Sequence, residues 1–343
     1  MLNLICKIEI IGKDNKKISF DYCNQIEIKT SCKNLTDTAT VKVPRKFFWK
    51  EKPLTDFITQ GNPITISIGY EEYVIETLFK GYIKSIENNT PVVINCENEM
   101  WNFKKITVPA EKIKKFDLKK YIEKYSAGIK VDITENLSFG SLDITNGMSL
   151  AQALDKIMQT YPYLLGYFQD GIFKGVLSTK RWLTAPKPTV FDPERNIVSD
   201  SLKYTIAEDV KICMKAVSIQ RDNTQLTAVA PSRAFTVKTD KNGKKTYTVK
   251  SGWEQRQEFC PQCTTQAEVQ AYAEKRATEW LTDKMEGTIT AFGVPLVRKG
   301  GLVQLKDANR AERNNRKFVI DGVDYTFGTG GYRQIITLGY EIK

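Results

Sequence analysis

The chain has 343 residues, a formal net charge of +11, 41% hydrophobic and 27% charged residues, and no histidine. That length allows two or three domains with adequate cores, and the composition is that of an ordinary globular protein. Without histidine, a Ser-His-Asp triad, a Cys-His dyad and an HExxH zinc site are excluded, and no run of about 18 apolar residues marks a membrane span.

The surplus of lysine and arginine is compatible with nucleic acid or an acidic partner. The basic residues do not cluster with aromatics in a nucleic-acid motif, so solvated lysines spread over the surface are the reading taken. Seven cysteines stand at 6, 23, 32, 96, 213, 260 and 263. Their odd number, and an opening stretch that alternates and carries charge like a strand, argue against a disulfide framework and a leader peptide. The expectation is a chain made in a cytoplasm, with reduced cysteines acting as small apolar residues.

The first hundred residues read as strands: residues 4–11 alternate, 13–16 turn and 18–22 return, followed by 26–28 and by 39–43, which Pro44 stops. Residues 54–60 fit one short helical turn. After Gly61 come the alternating Ile64, Ile66 and Ile68, a strand around Gly81 and another at 92–96, with Trp101 and Phe103 closing the module.

The middle of the chain has helical spacing. Asp117 caps a helix with Leu118, Tyr121, Ile122 and Tyr125 on one face, and Gly128 ends it. Ser149 caps a second, with Leu150, Ala153, Leu154, Ile157, Met158 and Tyr161 aligned until Pro162. A hairpin follows, 164–169 and 172–177, with Asp170-Gly171 as its two-residue turn. The apolar faces are read as core, not as a cofactor groove.

Pro186, Pro188 and Pro193 mark a linker, after which strands resume at 202–206 and 210–219. Two polar strands, 234–239 and 246–250, flank Asn242-Gly243 and predict a projecting hairpin arm, either a surface decoration or a grip on a neighbouring subunit. Thr265 and Glu268 form a capping box for a third helix, over 265–284, with Val269, Ala273, Ala277, Trp280 and Leu281 on one face. The last sixty residues are again short β-branched and aromatic runs punctuated by Gly, Pro, Asn and Asp.

Few residues could carry chemistry. Cys260-Pro261-Gln262-Cys263 precedes the third helix, where a thiol would gain acidity from the dipole. The βαβ context of a thioredoxin motif is missing, and a zinc site would lack its other ligands, so two ordinary cysteines at a turn is the preferred reading. Glu71-Glu72 and Glu208-Asp209 read as surface charge, and Gly328 to Gly331 lies between two strands, so it is a turn and not a phosphate loop.

The two β-rich ends resemble one another. Gly61 matches Gly300, Gly81 matches Gly322, and Val93-Ile94 match Ile335-Ile336, with a slippage of two residues. This reads as a duplicated β module.

Residues 61–103, with Ile64, Ile66, Ile68, Gly69-Tyr70 and Leu78-Phe79-Lys80-Gly81-Tyr82-Ile83, resemble the first barrel of phage baseplate hub proteins. The helix and hairpin at 149–177 look like their middle domain. Glu286-Gly287 to Tyr340, with Phe292-Gly293, Pro295, Gly300 and Gly331-Tyr332-Arg333-Gln334, looks like their closing barrel. The family includes the late control protein D group and the hubs of contractile tails, phage-tail-like bacteriocins and related injection systems.

The resemblance implies an α+β, mainly β fold: a tube-like antiparallel β-barrel over 1–105, a small α/β domain over 106–195, and a second barrel over 196–343 with the hairpin arm at 232–252 and the helix at 265–284. It implies a structural protein of the tail baseplate of a virion or particle, with no enzymatic activity and no cofactor or metal. Three copies would form a ring adapting a sixfold tail tube to a threefold spike. The expected partners are copies of itself, the tail tube protein, wedge proteins, a tape measure protein, and a spike that is a separate chain because this one stops after its closing barrel. No specific nucleic-acid recognition and no membrane anchor are expected. A tail-tip protein of a non-contractile phage is the alternative, and a thiol enzyme built on Cys260 and Cys263 the third. Ile64, Ile66, Ile68, Val303 and Leu305 mark the ring wall. Asn242, Gly243, Arg310, Arg313 and Arg316 are the candidate contacts to neighbouring proteins.

Overall fold

The computed structural model describes residues 3–342 apart from 74, 114–115, 127, 134–137, 140–141, 146, 161–163, 178–186, 207–208, 220–223, 240–244, 261–262, 264 and 282–283. The described chain is mainly β and falls into two compact units, one of residues 1–201 with 287–343 and one of residues 202–286.

The first unit is built on one sheet of thirteen strands. Its opening strands are β1 (Leu4–Ile11), β2 (Lys17–Phe20), β3 (Gln25–Ser31), β4 (Thr38–Val43), β5 (Pro63–Tyr70), β6 (Glu76–Glu87) and β7 (Val92–Glu97). In space they lie in the order β3-β4-β7-β6-β5-β1-β2, all antiparallel. Alternation decides which face is inside: Ile8, Ile10, Ile26, Ile28, Val41, Ile66 and Ile94 are fully buried, while the residues between them are partly or wholly exposed. Each such side chain stabilises the fold by about 1.5–3 kcal/mol.

After β7 a one-turn helix, Met100–Phe103, delivers Phe103 to a second core. That core is closed by α1 (Leu118–Tyr125), β8 (Lys130–Ile133), α2 (Leu150–Thr160), β9 (Leu164–Gln169) and β10 (Ile172–Leu177). The local signals act as their chemistry dictates. The Asp117 side chain accepts the Lys120 N–H, and Ser149 and Gln152 cap each other reciprocally at 3.2 and 2.8 Å. Asp170 and Gly171 take φ of 53° and 80°, the positive pair that a two-residue hairpin turn needs. Strand β8 pairs in parallel with β10. Pro162, the expected stop of α2, lies outside the described residues, as does Tyr161.

The sheet resumes with β11 (Thr189–Phe191) and β12 (Ile197–Asp200). The first is a correction: it lies in the stretch read as a proline linker, and it pairs in parallel with a strand more than a hundred residues ahead. Three residues are too few to show alternation, and such a distant partner leaves no local mark.

The second unit, inserted after β12, comprises β13 (Lys203–Thr205), β14 (Ile212–Ile219), β15 (Gln225–Ala230), β16 (Phe235–Thr239), β17 (Lys245–Val249), β18 (Glu254–Phe259), α3 (Gln266–Trp280) and β19 (Lys284–Glu286). Helix α3 starts at the Thr265–Glu268 capping box and packs Val269, Ala273 and Ala277 against Met214, Ala216 and Ala228. Its alanines allow close approach to the sheet. Arg276 grips Glu258 of β18 through two bonds, of 2.7 and 3.0 Å. Strands β16 and β17 pair as the expected hairpin, largely exposed beyond Phe235; Asn242 and Gly243 at its turn lie outside the described residues.

The chain then returns to the thirteen-stranded sheet with β20 (Thr288–Phe292), β21 (Leu302–Leu305), β22 (Lys317–Gly328) and β23 (Gly331–Ile342). Their spatial order, continued from β12, is β12-β20-β23-β22-β21-β11. This repeats the order β3-β4-β7-β6-β5-β1, and the order along the chain is also the same. Among the described residues two differences stand out: β1 runs antiparallel to β5 whereas β11 runs parallel to β21, and β2, paired with β1, has no counterpart beside β11.

The register repeats as well. The Gly61 N–H bonds the Ile83 carbonyl and the Ile83 N–H bonds Asn62; likewise the Gly300 N–H bonds the Ile320 carbonyl and the Ile320 N–H bonds Gly301. Ile64 and Val303 are therefore counterparts, as are Ile66 and Leu305. In β6/β7 the register slips between Ile83 and Ser85, and in β22/β23 between Ile320 and Gly322, so both copies carry a β-bulge at the same place. Past the bulge, Ile94 faces Ile86 as Ile336 faces Val323, which confirms the match of Val93-Ile94 with Ile335-Ile336. The counterpart of Gly322 is Ser85, four positions from Gly81, and the counterpart of Gly81 is Phe318, which faces Val303 as Gly81 faces Ile64.

Gly81 is held for a different reason. A Cβ there would sit 2.1 Å from the Glu97 carbonyl oxygen of the neighbouring strand. Gly81→Ala is expected to destabilise the protein by about 1–3 kcal/mol, the usual cost of overpacking. Gly330→Ala, where nothing lies within 4 Å, should stay within about 0.5 kcal/mol. Denaturant midpoints of the two variants check both. Glu97 itself is buried between Lys84 and Lys104; burial raises its carboxyl pKa, but the two ammonium groups outweigh this and the net pKa is lowered. A carboxylate lowered in the fold contributes stability above its unfolded pKa and loses it as pH falls through the folded one. Thermal midpoints of Glu97→Gln should therefore fall less than those of the parent as pH drops below about 4.5.

Candidate assembly surfaces

The two copies of the β module are joined inside the chain by one ladder. Strand β22 is twelve residues long, and on one edge its first half pairs with β21 and its second half with β3. Gly322 stands opposite Ser31, Val323 opposite Thr30 and Asp324 opposite Lys29, on to Gly328 opposite Gln25. Gly322 is needed here because a Cβ would meet the Thr30 carbonyl at 2.7 Å. Lys29 faces Asp324: burial raises that carboxyl's pKa, and the Lys29 charge opposes the rise.

Beside this ladder, the loop between β20 and β21 ties three parts of the unit together. The Lys299 ammonium donates to both Asp37 carboxylate oxygens at 2.6 Å and to the Ser31 carbonyl at 3.3 Å, with both side chains under a tenth exposed. The Ser31 N–H also donates to Asp37, so the pair leaves little of its bonding capacity unused. Burial pushes the Asp37 carboxyl up and Lys299 pulls it back, with burial prevailing. Arg298 bonds Asp170 of the β9–β10 turn, Glu76 and the Thr77 carbonyl at 2.9–3.3 Å. The Tyr325 hydroxyl donates to the Val297 carbonyl at 2.7 Å, and Tyr70 packs on Tyr332 with ring centroids 5.7 Å apart.

A similar fold is found in solved structures. A tail protein from Neisseria meningitidis superposes with a TM-score of 0.66 over 98% of this chain and 96% of its own, at 14% identity. A tail protein of prophage MuSo2 from Shewanella oneidensis gives 0.65 over 97% of each chain, also at 14%. The chain has the fold of phage tail proteins. An Escherichia coli component of the type VI secretion system, described as structurally similar to the T4 phage tail proteins gp27 and gp5, matches at 0.52 and 7% identity, over 94% of this chain and 76% of its own. No protein-family model and no curated protein matches the sequence. The resemblance drawn from the residues thus holds at the level of fold.

The wall residues named from sequence need a correction of face. Ile64, Ile66, Ile68, Val303 and Leu305 are each at most 2% exposed, so their side chains are core. Any contact these strands make with another chain falls to the alternating residues, such as Thr65, Ser67 and Gln304, and to strand edges. Of the loop arginines, Arg313 is bound to Asp200 and Arg316 to Glu341, each at 3.0 Å and mostly buried, whereas Arg310 is 60% exposed beside Glu312. Arg310 is left facing solvent; the other two brace the loop, whose turn is set by Asp307 accepting the Asn309 N–H.

Cys260 and Cys263 are buried in the α3 core, with Cys260 Sγ directed at the Val217 carbonyl. Burial and the neighbouring Cys263 push the Cys260 thiol up to about 12, and burial also raises Cys263. Both shifts oppose a thiolate nucleophile. Among the described residues no three His, Cys, Asp or Glu side chains group as a metal set. Glu71 is bonded to Asn3 at the surface, and Gly328 and Gly331 bracket the β22–β23 turn.

Sequence reasoning missed Asp37 and Lys299, because nothing in their local surroundings distinguishes them from other surface charges. Asp37→Asn strands a buried ammonium and is expected to cost about 3–5 kcal/mol. Combining it with Lys299→Met removes the charge, and the amide oxygen left by Asp37→Asn can still accept the Ser31 N–H, so the double variant should recover more than half of that loss in denaturant unfolding.

Proposed function

We propose that this chain is the structural hub of a phage or phage-like contractile-tail baseplate. Three copies form a ring of six β modules that meets a sixfold tail tube on one side and a threefold spike on the other. The observation that carries the reading is the internal duplication: two modules of one strand order, one register and one bulge, side by side in one sheet. A chain with two near-equivalent modules presents six similar positions for every three identical ones, which is what matching a sixfold to a threefold partner requires. The fold similarity to phage tail proteins supports the same setting.

In this reading residues 1–105 and 196–343, the latter joined by β11, are the two tube-like barrels, and the rest of 106–195 is the domain between them. The β16–β17 arm and the outward side of the 307–316 loop, with Arg310, meet tube, wedge or tape measure proteins. The spike is a separate protein. The role is mechanical, without catalysis or cofactor, and the site of action is the tail of the particle.

Light scattering of the purified chain, alone and with its spike protein, tests this. A trimer of about 117 kDa, three times the 39.1 kDa chain, in either condition is the expected result. A monomer in both would overturn the reading.

A further inference from the structure

Two of the seven thiols meet at a junction of the first module. Cys6 lies on β1 opposite Ile68 of β5 and is 4% exposed. Cys23 is partly exposed, in the short connection that leads from β2 to β3. Their sulfurs stand 3.7 Å apart in a thiol–thiol hydrogen bond, and Cys6 Sγ also donates to the Asp21 carbonyl at 3.2 Å. Bonded sulfurs stand about 2.05 Å apart, so rotation of the two side chains with a small backbone adjustment closes the gap.

The strand order gives this contact its importance. In β3-β4-β7-β6-β5-β1-β2, β3 stands at one end of the run and β1 with β2 at the other, and no ladder joins β2 to β3 among the described residues. The two sulfurs therefore lie where the ends of the first module come together. The corresponding junction of the second module, between β11 and β12, is tied by hydrogen bonds. The Asp192 N–H donates to the Asn196 side chain at 2.8 Å, and the Asn196 N–H to the Asp192 carbonyl at 3.0 Å. The Asn196 amide group donates to the Val190 carbonyl at 3.1 Å. The first module has a pair of thiols at this step of the chain.

The pair also differs chemically from other cysteines of the chain. The bond from Cys23 lowers the pKa of the Cys6 thiol, against the opposing effects of burial and the Asp21 charge, and the same bond raises that of Cys23. The first proton is thus lost more readily than from an isolated buried thiol, and either sulfur can hold the one that remains. Cys96, Cys213, Cys260 and Cys263, by contrast, are all raised by burial.

We propose that Cys6 and Cys23 form a thiol–disulfide exchange site that takes small-molecule disulfides, such as oxidised glutathione, and closes into a cross-link stapling the two ends of the first module. Cys23, reachable from solvent, attacks one sulfur of the small disulfide. That S–S bond breaks, a mixed disulfide forms on Cys23, and the first small thiol leaves. Cys6 then attacks the Cys23 sulfur and expels the second. The two cysteines together lose two electrons, the small disulfide is reduced to two thiols, and the two cysteine protons go to them. A chain in a reducing cytoplasm keeps both thiols, and the bond forms once the particle meets an oxidising medium. The site goes beyond the hub reading and needs only the folded chain.

The test uses the purified full chain equilibrated with mixtures of oxidised and reduced glutathione, then quenched with an alkylating reagent under denaturing conditions. Mass spectrometry should find a chain with two fewer alkylated cysteines than the reduced form, and a proteolytic fragment that links Cys6 to Cys23. Oxidation should raise the thermal midpoint by several degrees, because the closed loop restricts the unfolded chain. Cys23→Ser should unfold near the midpoint of the reduced parent and show neither change, and Cys6→Ser should hold glutathione on Cys23 as a mixed disulfide. A parent chain that keeps every thiol at all glutathione ratios, stops at the mixed disulfide or cross-links a different pair overturns the proposal. The oligomeric state bears on the hub reading alone, so the two can fail separately.

Discussion

One ladder, β22 against β3, holds the duplicated modules in a single sheet, and the arrangement of the larger unit follows from how β22 divides its edge. On one edge β22 keeps β23 along its whole length, and on the other it changes partner part-way. The bulge between Ile320 and Gly322 lies where the partner changes from β21 to β3, and increased local twist is what a bulge supplies. Gly322 lets the Thr30 carbonyl approach, and Lys299 with Asp37 fills the space beside it. A buried ion pair is a costly filler compared with apolar side chains, but it accepts a single geometry and so fixes how the loop carrying Gly300 sits over β3.

Much of this was legible in the residues, and the parts that were not share a cause. Features set by neighbours in sequence were read correctly: the Asp117, Ser149 and Thr265 caps, the Asp170-Gly171 turn, and the alternation that buries Ile64, Ile66 and Ile68. The duplication was visible because alternation and glycine turns survive divergence. The equivalence of Gly81 with Gly322 failed because each glycine answers to a different close approach, the Glu97 carbonyl for one and the Thr30 carbonyl for the other, at positions four apart in the shared register. Strand Thr189–Phe191 and the Lys299–Asp37 pair were invisible because each exists only through a partner far along the chain. Ile64, Ile66, Ile68, Val303 and Leu305, named as contact residues, are core: the side chains that make the alternation conspicuous are the ones it encloses.

The identity of 14% to tail proteins with which the chain shares nearly its whole length fits this division. A sheet of this kind asks for β-branched or aromatic residues at every second position, a glycine or small residue at a few close approaches, and opposite charges across edges. Many sequences satisfy those demands. Cys260 and Cys263, the one pair that suggested chemistry, meet the same packing demand as their alanine and methionine neighbours.

The separation between β3 and β22 also has a consequence for synthesis. The Thr30 hydroxyl bonds the Val323 carbonyl across 293 positions of sequence. Strands β1 to β7 can pair among themselves as soon as they leave the ribosome, but β3 must then wait, one edge open, until almost the whole chain has been made. At roughly 5–20 residues per second that interval lasts about 15–60 s. Such an edge invites the wrong strand, and the residues on its outward side, Gln25, Glu27 and Lys29, are the polar and charged kind that discourage hydrophobic strand addition. The same lysine that later faces Asp324 therefore has an earlier task, as a guard on a nascent edge.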